Sequence, residues 1–151
     1  MIVSRHSPRN YGQRGSAMLE FAIMAPMMIM VMFGVMDFSR IFYYGDIAAG
    51  AARAGTEYAL LSTANAGNTA GMQTAATNDA SPNTTSAQNF TATATTFCQT
   101  AGTTSTVPCS SSGTLWKYAQ VSTTLQFTAI FKYNPLPNTV TVAGNSTVRI
   151  Q

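Results

Sequence analysis

The apolar residues of the chain are concentrated in one continuous segment near the N-terminus. Residues 21–36 contain no charged side chain, and seven of the nine methionines lie between Met18 and Met36. The 21 residues of the segment 16–36 would span about 31 Å as an α-helix, which is close to the thickness of a bilayer hydrocarbon core. The pattern therefore predicts a membrane-spanning helix.

The helical pattern continues beyond this segment, and we expect a single helix over residues 16–61. Pro26 lacks an amide hydrogen and clashes with the preceding turn, so it predicts a kink or a local opening. The sequence does not decide between a functional hinge and a proline that a membrane helix simply tolerates. Asp37 and Arg40 can pair on one helical face, and with Tyr43 and Tyr44 as aromatic anchors they predict an interfacial end to the membrane span.

Residues 62–151 predict a small β-rich head. A short helix is expected over 69–77, and alternating patterns predict strands over 90–98, 114–133 and 139–150. The proline-rich segment 134–138 joins the last two strands as a hairpin turn. On the middle strand, Thr123 and Ile130 break the alternation, while the apolar face consists of Ala119, Val121, Leu125, Phe127, Ala129 and Phe131.

Together these elements predict an α+β fold, in which a long N-terminal transmembrane helix is followed by a small antiparallel sheet of about three strands. The sheet has one apolar face that needs a cover. The second half of the long helix, with its alanines and Tyr58, is the expected cover. The predicted organisation is a leader over 1–15, the helix over 16–61 and the head over 62–151.

The net charge of +3 comes entirely from Arg5, Arg9 and Arg14, because residues 16–151 contain five basic and five acidic side chains. Basic residues beside a membrane segment hold that end in the cytoplasm, so the basicity is a topology signal. It predicts a single-pass protein with a cytoplasmic N-terminus and a periplasmic C-terminus. It does not indicate a nucleic-acid partner.

The residue inventory does not support an enzyme, a metal site or a cofactor site. The only histidine, His6, lies in the predicted leader, and no paired carboxylates are indicated in the head. Cys98 and Cys109 are the only cysteines, and both follow the membrane segment on the side where a disulfide persists. We expect them to be paired and to have a structural role.

Glu20 is the residue whose position most favours a function. It follows Gly15 and Ser16 at the start of the apolar segment, where burying an ionised carboxylate costs about 2.5 to 3.5 kcal/mol. The order of basic leader, glycine, four uncharged residues, glutamate and apolar helix is that of a prepilin cleavage site. If the chain is cut after Gly15, the new Ser16 amine can neutralise Glu20 of a neighbouring subunit. The alternative is that Glu20 only lies at the membrane interface, where a negative charge suits the helix N-terminus.

These motifs resemble the TadE-like family, minor pilins of the tight-adherence (Tad or Flp) type IV pilus system. The residues that carry the resemblance are Arg14–Ala22, Ala25-Pro26, Phe33-Gly34, Asp37–Arg40 and the alanine-rich segment Ala48–Tyr58.

The resemblance implies cleavage after Gly15 by an aspartate prepilin peptidase, with Ser16 as the mature N-terminus and Glu20 at the family's assembly position. It also implies a location in the bacterial inner membrane, in contact with lipid, other pilins or pseudopilins and an assembly platform. The implied fold is pilin-like, and the expected role is in building a pilus for adhesion or biofilm formation.

Two other functions fit the same sequence. The chain could be a permanently anchored envelope protein whose uncut leader stays in the cytoplasm and whose head binds a periplasmic partner or a cell-wall polymer. Alternatively, the Thr-rich and Ser-rich loops of the head could form an adhesive or substrate-binding surface at a pilus tip.

Overall fold

The computed structural model describes residues 13–85, 88–100, 106–107, 109, 115–130 and 138–150. The chain divides between Met36 and Asp37 into two units. Its elements in chain order are helix α1 (Gln13–Leu60), a 3-10 turn (Asn65–Gly67), helix α2 (Thr69–Ala80), a second 3-10 turn (Ser81–Asn83), and strands β1 (Thr91–Thr100), β2 (Thr106–Val107), β3 (Leu115–Thr128) and β4 (Thr139–Arg149).

The predicted long helix is confirmed. It begins at Gln13, three residues before the predicted start, and it remains helical through Pro26. Whether Pro26 acts as a hinge stays a prediction. The predicted short helix is also present as α2, whose start is fixed by the Asn68 side chain, since its Oδ1 accepts a hydrogen bond from Gly71 N at 2.9 Å. This is an ordinary N-cap, which satisfies one of the unpaired amides of the first turn.

The sheet is antiparallel throughout and has the order β2-β1-β3-β4. The three predicted strands are confirmed, and β2 is a short fourth strand that pairs with β1 through Cys98 and Val107. The predicted disulfide between Cys98 and Cys109 is present, with the two Cα atoms 5.1 Å apart. By closing a loop of about a dozen residues it stabilises the head by about 2 to 3 kcal/mol in the chain-entropy model.

Part of the predicted hairpin lies outside the described residues. The turn predicted over 134–138 and the strand residues Phe131 to Tyr133 fall mostly in the segment 131–137, and Asn138 alone is described. On the described side, Ala129 N donates to Asn138 O at 3.0 Å, which links the two ends of the hairpin. The antiparallel register of β3 and β4 follows this link.

The helix cover predicted for the sheet is confirmed. Buried alanines of α1, together with Met72 and Ala76 of α2, pack against Ala94, Ala119 and Val121 of the sheet. Tyr58 is partly buried at the edge of this cluster. Because the helices contribute mainly methyl groups, their backbones lie close to the sheet.

The closest approach occurs between the middle of α1 and the centre of the sheet. A Cβ atom built on Gly144 of β4 would lie 2.3 Å from the carbonyl oxygen of Ala48, so only glycine fits there. Gly144 is the register partner of Thr123, and the buried Thr123 hydroxyl donates to the same Ala48 oxygen at 2.7 Å. Thr123 thus breaks the apolar alternation of β3 because it binds the helix backbone.

We predict that Gly144→Ala lowers the free energy of unfolding by at least about 2 kcal/mol, because the added methyl group must push α1 away from the sheet. The matched control is Gly45→Ala on α1, where an added Cβ meets nothing within 4 Å. The control should be neutral or slightly stabilising, since alanine favours helix. Denaturant unfolding of both variants in detergent micelles measures the difference, and equal stabilities would contradict the close contact.

Candidate assembly site

The first unit presents an apolar helix surface that is not buried within the unit. Large apolar side chains from Met18 to Met36 are exposed, with Met18 at 80% and Phe21 at 68% of their full accessible surface. Among the residues that the structure describes, α1 is the one helix that is long and apolar enough to cross a membrane by length and composition. The finding is consistent with single-pass membrane anchoring.

Gly15, Ser16 and Glu20 lie on this part of α1. The Ser16 Oγ donates to Glu20 Oε1 at 3.4 Å, so the two side chains share one helical face one turn apart. Glu20 is exposed and borders a shallow apolar groove lined by Ala17, Phe21, Ile23 and Met24. The Glu20 carboxylate thus has apolar side chains on its groove side and the neutral Ser16 hydroxyl as its hydrogen-bond donor.

Gly15 is exposed, and a Cβ atom at this position would meet nothing within 4 Å. The bond between Gly15 and Ser16 nevertheless lies inside α1, two residues after the helix begins. Gly15 weakens this first turn, because glycine disfavours helix by about 1 kcal/mol relative to alanine.

The second unit begins with a polar clamp between α1 and the end of β3. Asp37 and Arg40 form the predicted ion pair, with a closest N to O distance of 3.7 Å. Asp37 Oδ1 also accepts a hydrogen bond from Ile130 N at 3.0 Å, and the Arg40 guanidinium donates to Thr128 O at 3.3 Å. The two side chains therefore satisfy backbone groups where β3 ends.

Arg40 also lies over two aromatic rings of the head. Its guanidinium carbon is 5.2 Å from the centroid of Phe127 and 5.8 Å from that of Tyr44. Tyr44 is buried against Leu125 and Phe127, and its hydroxyl accepts a hydrogen bond from the Gln88 side chain. The prediction of a membrane anchor is therefore wrong for Tyr44, because its ring belongs to the head core. Tyr43 is exposed.

Sequence reasoning missed the clamp function of Asp37 and Arg40. It placed them at the end of the apolar segment, where their spacing predicts a pair, but it gave them no partner in the head. A signal was available in Ile130, whose position breaks the alternation of β3. The structure explains the break, since the strand ends at Thr128 and the Ile130 amide is held by Asp37.

The comparison with known protein families gives a match within the N-terminal part of the chain. Residues 15–57 match the family described as TadE-like protein. No curated protein and no solved structure matches the chain significantly. The matched segment contains Gly15, Ser16 and Glu20 as well as the Asp37–Arg40 pair.

We predict that Asp37→Ala exposes the end of β3 to solvent exchange, because the Ile130 amide loses its acceptor and Arg40 loses its counter-charge. The free energy of unfolding should fall by about 1 to 2 kcal/mol. Hydrogen exchange of the peptide containing Ile130, measured by mass spectrometry, is the direct readout. Asp46→Ala is the matched control, since this exposed carboxylate on the same helix forms no ion pair with a described residue. Equal protection in both variants would contradict the clamp.

The family match confirms the resemblance that the N-terminal motifs predict: residues 15–57 of the chain are similar to the TadE-like family.

Proposed function

We propose that the protein is a minor pilin, or pseudopilin, that takes part in the assembly of a Tad-type pilus for adhesion or biofilm formation. The observation that carries the proposal is the TadE-like match over 15–57, which includes an exposed apolar helix with a carboxylate near its start. An exposed apolar helix surface is stable in a bilayer or when packed against other helices. A pilin is first in the bilayer, before assembly, and then packs against other helices in the fibre.

The proposed precursor is a single-pass protein of the bacterial inner membrane. Arg5, Arg9 and Arg14 hold the N-terminus in the cytoplasm, and the head is then periplasmic. The disulfide between Cys98 and Cys109 supports this orientation, because such a bond persists in the periplasm and is rare in the cytoplasm.

A prepilin peptidase is proposed to cut between Gly15 and Ser16. The cut removes the first residues of α1 and leaves Ser16 with a free, positively charged amine. The new helix start also exposes the unpaired amides of its first turn, which add a partial positive charge of about one half. The mature N-terminus is therefore a strongly positive site within an apolar helix surface.

Glu20 is proposed to meet this positive end in a neighbouring subunit. A carboxylate transferred into hydrocarbon costs about 2.5 to 3.5 kcal/mol, and a charged partner offsets much of that cost. The pairing thus favours subunits that lie side by side, among them other pilins held by the assembly platform. It also links assembly to cleavage, because an uncut chain has no amine at Ser16.

We predict that Gly15→Ala blocks processing while the fold is unchanged. The added methyl group meets no atom within 4 Å, yet it stiffens the first turn and alters the residue beside the cut. N-terminal sequencing of the membrane-bound protein is the measurement. It should find Ser16 as the first residue of the natural protein and should not find this start in the variant. Gly34→Ala is the matched control, since its added methyl is equally unobstructed and it lies far from the cut.

An intact Met1 start in the natural protein, with its peptidase present, would overturn the processing proposal. It would favour the second candidate function, a permanently anchored envelope protein with a periplasmic binding head. The continuous helix through Gly15 is the observation that fits this alternative.

We predict that Glu20→Ala leaves membrane insertion intact but lowers the amount of the protein in sheared fibres about tenfold or more. Glu20→Gln separates charge from shape, because glutamine keeps the length of the side chain and can still accept from Ser16. If pairing with the positive N-terminus is the cause, both variants should fail equally. Normal incorporation of Glu20→Gln would contradict the ionic mechanism.

A further inference from the structure

The charges that follow Gly15 are segregated along the chain. Residues 37–79 contain four acidic and two basic side chains, and residues 80–151 contain three basic and no acidic ones. The first group belongs to the helices of the head, and the described members of the second, Lys117 and Arg149, belong to strands β3 and β4 of the sheet. The head therefore has a negative helix layer and a positive sheet layer.

The outer face of the sheet carries a cluster that we name the basic aromatic patch, made of Phe97, Trp116, Tyr118 and Arg149. These side chains alternate with the residues that face the helices. The Phe97 and Tyr118 rings stack with centroids 5.5 Å apart, and the Arg149 guanidinium carbon lies 4.5 Å from the Trp116 ring centroid. Trp, Tyr and Arg are the residue types that most often dominate protein interfaces.

The helix layer carries a complementary feature, which we name the acidic cleft. It lies between α1 and α2 and is lined by Tyr43, Asp46, Ile47, Gly50, Asp79 and Asn83. Asp46 and Asp79 are exposed, and neither forms an ion pair with a residue that the structure describes. Gly50 lies beside the Asp79 carboxylate, since a Cβ atom built on it would be 3.6 Å from Asp79 Oδ2.

We propose that the basic aromatic patch of one copy docks onto the acidic cleft of a second copy. The two surfaces have opposite charge and lie on opposite layers of the same head, so the contact joins unlike faces. A contact of this type repeats from copy to copy and produces a ring or an open helical array. This contact joins the heads and is separate from the proposed pairing of Glu20 with the mature N-terminus. The inference rests on the proposed function, because the fibre is what brings the copies together.

The test uses the full chain in the membranes of cells that produce two differently tagged copies. A photo-crosslinking residue replaces Thr147, which is exposed on the outer face of the sheet opposite Gln120. We expect crosslinks between the tagged copies, with the captured peptide coming from residues 43–83 of the second copy. Arg149→Glu, or Asp46→Lys together with Asp79→Lys, should lower the crosslinked fraction at least about tenfold.

Charge exchange distinguishes docking from misfolding. When the photo-crosslinking copy carries Arg149→Glu and the other copy carries Asp46→Lys and Asp79→Lys, complementarity is restored and the crosslink should return. Gln126→Glu adds a negative charge at the other end of the same sheet face and should have no effect. Any of three results would overturn the proposal: a crosslinked fraction that does not change with the charge substitutions, crosslinks to a different protein, or no recovery of the crosslink in the exchanged pair.

The same cells separate this inference from the proposed function. A Ser16 N-terminus and normal fibre incorporation without the charge-dependent crosslink would overturn the head contact alone. A charge-dependent crosslink in cells where the protein keeps its leader and stays out of fibres would overturn the pilin proposal alone.

Discussion

The head depends on one backbone contact, in which the Ala48 carbonyl of α1 rests on the centre of the sheet. The contact requires a hydrogen at Gly144, where a methyl group would lie 2.3 Å from the oxygen, and a hydroxyl at Thr123, which donates to that oxygen at 2.7 Å. A helix that approaches a sheet this closely can bury only small side chains at the point of contact. The contact therefore explains the alanines and glycine at positions 48–52 of α1, whereas the larger Tyr44 ring packs against the sheet one turn earlier.

The small residues leave little apolar area to hold the head together, so other interactions have to fix the layers. Gly55 and Gly71 also allow close approaches that a side chain would block. A Cβ atom on Gly55 would lie 2.9 Å from Met72 O, and a Cβ atom on Gly71 would lie 2.5 Å from the Tyr58 ring. The Asp37 and Arg40 clamp secures one end of β3, and the disulfide links β1 to the segment that follows it. Close backbone packing at glycines, the Asp37 and Arg40 clamp and the disulfide therefore help to specify the fold together with the small core.

The sequence was sufficient for the elements whose pattern is local. Helical periodicity, alternation and the oxidising side of the membrane predicted α1, the three long strands and the pairing of Cys98 with Cys109. Local patterns carry no information about which distant atoms meet, so the roles of Thr123, Asp37 and Tyr44 could not be predicted. Thr123 looked like a defect in β3 because its partner, the Ala48 carbonyl, is 75 residues away. The cleavage and assembly roles of Gly15, Ser16 and Glu20 are still predictions from sequence.

The proposed assembly follows from a difference between the two halves of α1. The second half has its apolar face filled by the sheet, whereas the methionines and phenylalanines of the first unit are exposed. Methionine side chains are flexible and polarisable, so one surface can fit lipid tails and then the helix of another subunit. Glu20 is the exception on this surface, since Ser16 offers it only a neutral hydroxyl. A carboxylate with a neutral partner is tolerable at the membrane interface and costly inside a fibre. In the proposed mechanism, cleavage supplies a positive charge that lowers the cost of burying Glu20 in the fibre, so the peptidase would control assembly.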